Sequence, residues 1–544
     1  MDNAVVRPPS PRNEPIRGYL PGSPEKAELK AALQRLAGET VEIPLWIGGQ
    51  PVRTGNLGDC RMPHDHRHLL GRYHKAGGKE ARAAVRAALK ARRDWAATPW
   101  EARAAILLRA ADLLAGRWRA TLNAATMLGQ SKTVFQAEID AACELIDFWR
   151  FNVHFAQQIM SEQPESAPGC WNLLEQRPLD GFVFAVTPFN FTSIAGNLPT
   201  APALMGNTVV WKPASSAVYA AHFIMEILRE AGLPDGVINL VPGSGRDVGD
   251  PILASPELAG VHFTGSTPVF QGMWATVGAN IGRYGCYPRI VGETGGKDFV
   301  FAHASADVEA LVTALVRGAF EYQGQKCSAA SRAYIPDTLW KSVKEQLVAA
   351  VSSIRMGDVT DFRTFMGAVI DGAAFETISG YVREARKARG QARILCGGGS
   401  DGTRGWFIEP TVIEARDPAY RTMREEIFGP VLTIHVYPER DFVPTLRLCD
   451  ATAAYALTGA VFARDRAAIL TASRELTGTA GNFYINDKPT GAVVGQQPFG
   501  GSRASGTNDK AGSRLNLLRW TSPRTIKETF DPPRDYRYAY MLEK

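Results

Sequence analysis

Phe182-Val-Phe-Ala-Val-Thr187, Thr208-Val-Val-Trp211, Val237-Ile-Asn-Leu-Val241 and Gly260-Val-His-Phe263 are four short β-rich runs, and the segments 217–231 and 248–255 between them carry apolar residues at helical spacing. Short strands alternating with helices build βαβ units and hence a parallel, doubly wound sheet. A second series repeats the alternation, with strands expected at 299–301, 332–335, 431–436 and 459–462 and helices at 308–322 and 340–352. The fold class predicted is therefore α/β, with two such units in tandem. Before them, helices are expected at 79–97, 100–122 and 130–158, after a Pro- and Gly-punctuated arm over 1–75. Residues 162–177 read as a hairpin-like linker and 520–528 as an exposed strand.

Of the 544 residues, 45% are hydrophobic and 21% charged, with a formal net charge of +6. This is a globular composition, and no basic cluster points to nucleic acid. The seven cysteines are odd in number and scattered, which argues against a disulfide framework and against clustered zinc ligands. A reducing compartment follows, and the cytoplasm is expected, since Pro8, Pro9 and Pro11 interrupt the N-terminus where a leader would need an apolar or amphipathic run. Residues 181–211 carry no charge and are long enough for a membrane, but Pro188, Pro199 and Pro202 mark them as buried protein interior.

A doubly wound sheet invites a nucleotide at the carboxyl ends of its strands. The glycine signal there is weak: Gly243, Gly245 and Gly249 are spaced G-x-G-x-x-x-G. More is carried by seven segments in order: Thr187-Pro-Phe-Asn-Phe191, Trp211-Lys-Pro-Ala-Ser215, Phe263-Thr-Gly-Ser266, Gly292-Glu-Thr-Gly-Gly-Lys297, Gly324-Gln-Lys-Cys-Ser328, Glu425-Glu-Ile-Phe-Gly-Pro430 and Pro498-Phe-Gly-Gly501. With these, the chain resembles the aldehyde dehydrogenase superfamily from about residue 40 to 530. The resemblance implies two tandem Rossmann-like domains plus a small β oligomerisation element. The arm, helices and NAD-binding domain would cover 1–160 and 180–292, the catalytic domain 293–500, and the oligomerisation element and tail 161–179 and 515–544. Phe270, Gln136-Ala-Glu-Ile-Asp140 and the run from Asn486 to Phe499 narrow the likeness to the branch that oxidises L-glutamate γ-semialdehyde to glutamate in proline degradation.

The resemblance makes Cys327 the nucleophile, and its polar, glycine-containing setting suits an accessible thiolate. Asn190 and the Cys327 backbone N–H would stabilise the developing oxyanion, and Glu293 would activate water. Lys212, Ser215, Ser266, Glu426, Phe428, Pro188, Phe189 and Gly243 would face NAD. Many relatives carry Glu at the Ser215 position, so its absence leaves NADP open as a weaker cofactor. No metal is required.

The substrate readers rest on charge. At a 3.6-residue period Glu138 falls in the apolar stripe of Val134, Phe135, Ala142, Leu145 and Trp149, while Asp140, Glu144 and Asp147 point elsewhere. A lone carboxylate there needs a cation, either an internal salt bridge or the substrate's α-ammonium, and the resemblance implies the latter. Gly491 and Ala492 offer backbone N–H groups to the α-carboxylate, with Ser328 nearby. Phe191 and Phe499 would flank the chain, or be ordinary core.

Competing readings are a dehydrogenase of another small acidic aldehyde such as succinate semialdehyde, a CoA-acylating relative, a cysteine hydrolase, and a silent scaffold. The hydrolase lacks a histidine within twenty residues of Cys327. The expected assembly is a homodimer or a hexamer of dimers, with a proline dehydrogenase as a candidate substrate donor.

Overall fold

The strand Phe182–Thr187 is apolar on both faces because both faces are covered: Val183 and Ala185 enter one core with Val209 and Trp211, while Phe182 and Phe184 enter another with Val210 and Val261. Full burial of each Val or Phe contributes about 2 kcal/mol. The computed structural model describes residues 5–388 and 390–542. Its first large sheet has the order Arg289–Glu293, Leu258–Thr264, Phe182–Thr187, Thr208–Pro213, Ile238–Leu240, Leu45–Ile47, Gln50–Val52. The first five strands run parallel and the last two antiparallel. Chain order reverses beside Phe182–Thr187, so the crevice at the carboxyl ends of that strand and Leu258–Thr264 is the topological switch point.

The second large sheet has the order Ala392–Cys396, Thr411–Ala415, Val431–Tyr437, Arg332–Pro336, Phe299–Ala302, Thr458–Phe462, Asn482–Ile485, parallel apart from its first strand. Glu293 ends the edge strand of the first sheet and Phe299 opens a central strand of the second. The segment between them crosses from one sheet to the other. Cys327 lies where the chain returns from the helix Val308–Phe320 to the strand Arg332–Pro336.

Several expectations are corrected. Residues 1–75 are more than an arm: they form the helix Pro24–Gly38 and a sheet of Val41–Ile43, Asp65–His74 and Leu57–Met62. The helix expected over 100–122 breaks at Gly116 into Trp100–Ala115 and Arg119–Gln130. The helix expected over 130–158 is interrupted at Ser131, which is left-handed with φ 55, and then contains a π-helical turn at Glu138–Glu144 before Leu145–Ser161. The segment 162–177 turns back on itself through side-chain bonds of Gln163 to the Leu174 backbone and of Asn172 to Glu165 and Ser166, but only one of its limbs is a strand. Its strand Cys170–Arg177 pairs antiparallel with Ser522–Thr529, a partner too distant in sequence for any local turn signal. The helix Gly372–Lys387 and strands Ala392–Cys396 and Thr411–Ala415 were not anticipated.

Among the described residues no helix is long and apolar enough to cross a membrane. The uncharged run contains the helix Thr192–Leu204, buried throughout, with Pro199 and Pro202 inside it.

Candidate active site

Cys327 sits on a loop held by its own backbone. Tyr322, Gln323 and Gly324 are left-handed, with φ 51, 56 and 66, and a Cβ on Gly324 would lie 2.2 Å from the Gly429 carbonyl oxygen. Left-handed non-glycine residues persist only where surroundings over-determine them. Here Gln323 donates to the carbonyls of Ser131 at 3.0 Å and Ala368 at 2.6 Å, and its Oε1 accepts from the Gly367 N–H at 3.0 Å.

The loop opens on a cavity of about 420 Å³, lined by Cys327, Glu293, Phe191, Ser328, Thr490, Gly491, Ala492 and Phe499. Burial pushes the Cys327 thiol well above its ordinary range, and the carboxylates of Glu293, Asp298 and Glu426 push it further. Burial also raises the Glu293 carboxyl, to about 8. Its Oε1 is buried and has no hydrogen-bond partner. Burial thus strengthens the Glu293 carboxylate as a proton acceptor, and its unpartnered Oε1 is free to accept a hydrogen bond from water.

Asn190 is buried, and its Nδ2 donates to the Gln325 carbonyl at 3.0 Å. That bond fixes the side chain beside the Cys327 loop and leaves the second N–H of the amide unspent. Ser328 Oγ donates to Thr490 Oγ1 at 2.9 Å, tying the cysteine loop to the loop of Gly491, which is left-handed with φ +98.

The candidate cofactor groups gather at the carboxyl ends of the first sheet. Lys212 is the next-to-last residue of the strand Thr208–Pro213; burial lowers its ammonium, and among the described residues no hydrogen bond or ion pair engages that group. Ser215 is exposed nearby. Ser266 precedes the helix Thr267–Ala279 without a side-chain cap bond, so that helix offers free N–H groups to an anion. Pro188 and Phe189 follow the central strand, and Phe189 meets Phe428 edge-to-face at 5.8 Å. Glu426 accepts the Gly296 N–H at 2.9 Å, and burial raises its carboxyl to about 7. A Cβ on Gly295 would lie 2.1 Å from that carboxylate. A free cation, an open helix N-terminus and paired aromatics along one crevice fit a dinucleotide. Gly243 has a different explanation: a Cβ there would lie 2.8 Å from the Ala76 carbonyl, so the neighbouring backbone already requires glycine.

Glu138 is the main correction. It does not line the cavity. It is fully buried, and its carboxylate is bound by the Arg119 guanidinium, the Tyr19 hydroxyl at 2.6 Å, the Asn123 amide at 2.8 Å and the Arg17 N–H at 2.8 Å. No acceptor is left for a substrate ammonium. The cause is the π turn, whose extra residue rotates the downstream part of the helix by about 100°. Glu144 and Asp147, expected to point elsewhere, therefore line the cavity. Burial raises Glu144 to about 8 and Asp147 to about 6, the first also through Asp140. Asn13, Glu14 and Ile16 of the N-terminal arm complete the wall. Nothing in local periodicity announces these.

A thiol, a base with a free oxygen and an amide donor thus meet between two α/β sheets. The sequence profile of the aldehyde dehydrogenase family matches residues 53–526. The chain belongs to the aldehyde dehydrogenase family. It is 53% identical over 538 residues to the mitochondrial Δ1-pyrroline-5-carboxylate dehydrogenase of Dictyostelium discoideum, covering 98% of this chain and 96% of the relative. The crystal structure of the Δ-pyrroline-5-carboxylate dehydrogenase of Mycobacterium tuberculosis bound with NAD is similar at a TM-score of 0.96 and 55% identity, over 99% of this chain and 100% of that one. Proline utilization A (PutA) of Bdellovibrio bacteriovorus is similar at a TM-score of 0.90 and 30% identity, over 96% of this chain but 54% of the larger one.

Proposed function

We propose that this aldehyde dehydrogenase oxidises L-glutamate γ-semialdehyde, the open-chain form of Δ1-pyrroline-5-carboxylate, to L-glutamate with NAD, in proline degradation. The observation that carries it is one cavity lined by Cys327, Glu144 and the Gly491–Ala492 loop. An amino-acid aldehyde needs these three groups: a nucleophile for the aldehyde, an anion for the ammonium, and N–H donors for the carboxylate. The names of relatives at about half identity over nearly the whole chain support the same substrate.

The thiolate form of Cys327 bonds to the aldehyde carbon, the carbonyl π pair moves to oxygen, and that oxyanion takes hydrogen bonds from the unspent Asn190 N–H and the Cys327 backbone N–H. Bound NAD supplies the two-electron acceptor. Glu293 then takes a proton from water, the oxygen of that water attacks the thioester carbon, and the C–S bond breaks to release glutamate and regenerate the thiolate. Glu144 and the 490–492 loop hold the amino-acid end still during both steps.

Succinate semialdehyde is disfavoured because it has no ammonium to set against Glu144. The exposed ribbon of Cys170–Arg177 with Ser522–Thr529, including Trp171, supports association as a homodimer or a ring of dimers. The PutA likeness supports a proline dehydrogenase as donor of substrate. The seven unpaired cysteines fit a reducing compartment, and the cytoplasm is the reading kept, although several relatives are named mitochondrial. The test is NADH production from glutamate γ-semialdehyde, succinate semialdehyde and propanal. Preference for the first supports the assignment, and preference for the second removes it.

A further inference from the structure

Asn13, Glu14 and Ile16 of the segment 13–19 line the cavity, and the fastening points of the segment are spread over three elements. Arg17 N–H and Tyr19 hydroxyl bind Glu138, and Glu14 bridges Arg119 at 2.5 Å and Arg150 at 2.7 Å. The Glu14 N–H donates to Asp147 Oδ1 at 2.7 Å. These bonds clamp the segment to the helices. Asn13 alone reaches across to the other side. Its Nδ2 donates both to Asp147 Oδ2 and to the Val494 carbonyl, each at 2.8 Å, and its Oδ1 accepts from Gln496 Nε2 at 2.9 Å.

Val494 and Gln496 belong to the loop whose earlier residues, Gly491 and Ala492, line the cavity. That loop has no regular secondary structure and turns at two left-handed glycines, Gly491 and Gly495, with φ +98 and +81. A loop of this kind keeps its N–H groups aimed only if outside contacts hold it. Ser328 holds one end through Thr490, and Asn13 holds the other through Val494 and Gln496.

We infer that Asn13 is a positioning residue for recognition of the substrate carboxylate, acting by bridging the helix of Asp147 to the loop of Gly491, Ala492 and Val494. The inference rests on the reading of that loop as the anion-binding element. Asn13 touches the loop, not the reacting carbon, so its effect falls on binding of carboxylate-bearing aldehydes.

The experiment compares kcat and KM of the full chain with NAD on glutamate γ-semialdehyde and on propanal, which lacks a carboxylate. Asn13→Ala is expected to lower the ratio of kcat/KM for semialdehyde over propanal about tenfold, through KM, the equivalent of one hydrogen bond. The double variant Asn13→Asp with Asp147→Asn exchanges donor and acceptor at the helix contact but cannot donate to Val494, so it is expected to keep the lowered ratio. An unchanged ratio in Asn13→Ala, a parallel loss on both aldehydes, or restoration by the double variant would each overturn the inference. Should the parent protein prefer succinate semialdehyde, the proposed substrate fails, and the same ratio measured on that aldehyde still decides the role of Asn13.

Discussion

Arg119 and Glu138 form an ion pair in which each side chain is at most 1% exposed, and the Glu138 carboxylate is also bound by residues of the N-terminal segment. Breaking one side of a buried pair leaves the other charge uncompensated, which costs about 3–5 kcal/mol. Glu138→Gln is therefore expected to lower unfolding stability by about 3 kcal/mol, measured by denaturant titration. Glu144→Gln, on the cavity wall, is expected to lower kcat/KM for glutamate γ-semialdehyde by about 10- to 100-fold, the range for losing a hydrogen-bonded charge. If the two variants exchange these effects, the π-turn correction is wrong.

Cys327→Ser is expected to lower steady-state NADH production by about 10³-fold or more, since a weak alcohol replaces the nucleophile. A parental rate in this variant would remove the covalent route altogether.

Glu293→Gln should separate the two halves of the reaction. With no acceptor for the water proton, the variant is expected to give a burst of about one NADH per active site and then stall. Quenched-flow traces without a burst, but with the same slow rate from the start, would place Glu293 before hydrolysis.

The raised carboxyls also set a pH dependence of stability. The folded Glu293 carboxyl binds its proton up to about 8, above the ordinary value of 4.5, so between these values the folded state holds more protons than the unfolded one. Stability from this group is full below the lower value and is lost as pH rises through the upper. Glu293→Gln is thus expected to gain in Tm over the parent as pH rises, with a larger difference at pH 9 than at pH 5. The opposite order in thermal scans would contradict the burial argument.

If Ser215 faces the adenosine ribose as proposed, it places no carboxylate against a 2′-phosphate. Ser215→Glu is expected to lower NADP-supported turnover relative to NAD by about tenfold, a charge repulsion near the protein surface. An unchanged NADP to NAD ratio would move the ribose elsewhere.

The alternation of Phe182–Thr187, Thr208–Pro213 and Leu258–Thr264 with helices is visible in sequence because a parallel sheet buried on both faces demands continuous apolar runs. Cys327, Glu293, Ser328, Gly491 and Phe499 could be named as one site because each sits in a short motif, and they do share a cavity. The exchange of Glu138 for Glu144 shows where this stops. A 3.6-residue period is a property of an unbroken α-helix, and the π turn at Glu138–Glu144 carries no local signature.

Composition, strand runs and short motifs determined the two α/β units and pointed to the candidate reacting groups, since those depend on neighbours in the chain. The tertiary structure alone decided which carboxylate meets the cavity, which strand pairs with Cys170–Arg177, and that Asn13 reaches Val494. Those depend on helix phase and on contacts between residues hundreds apart, and such contacts exist only after the two sheets have packed.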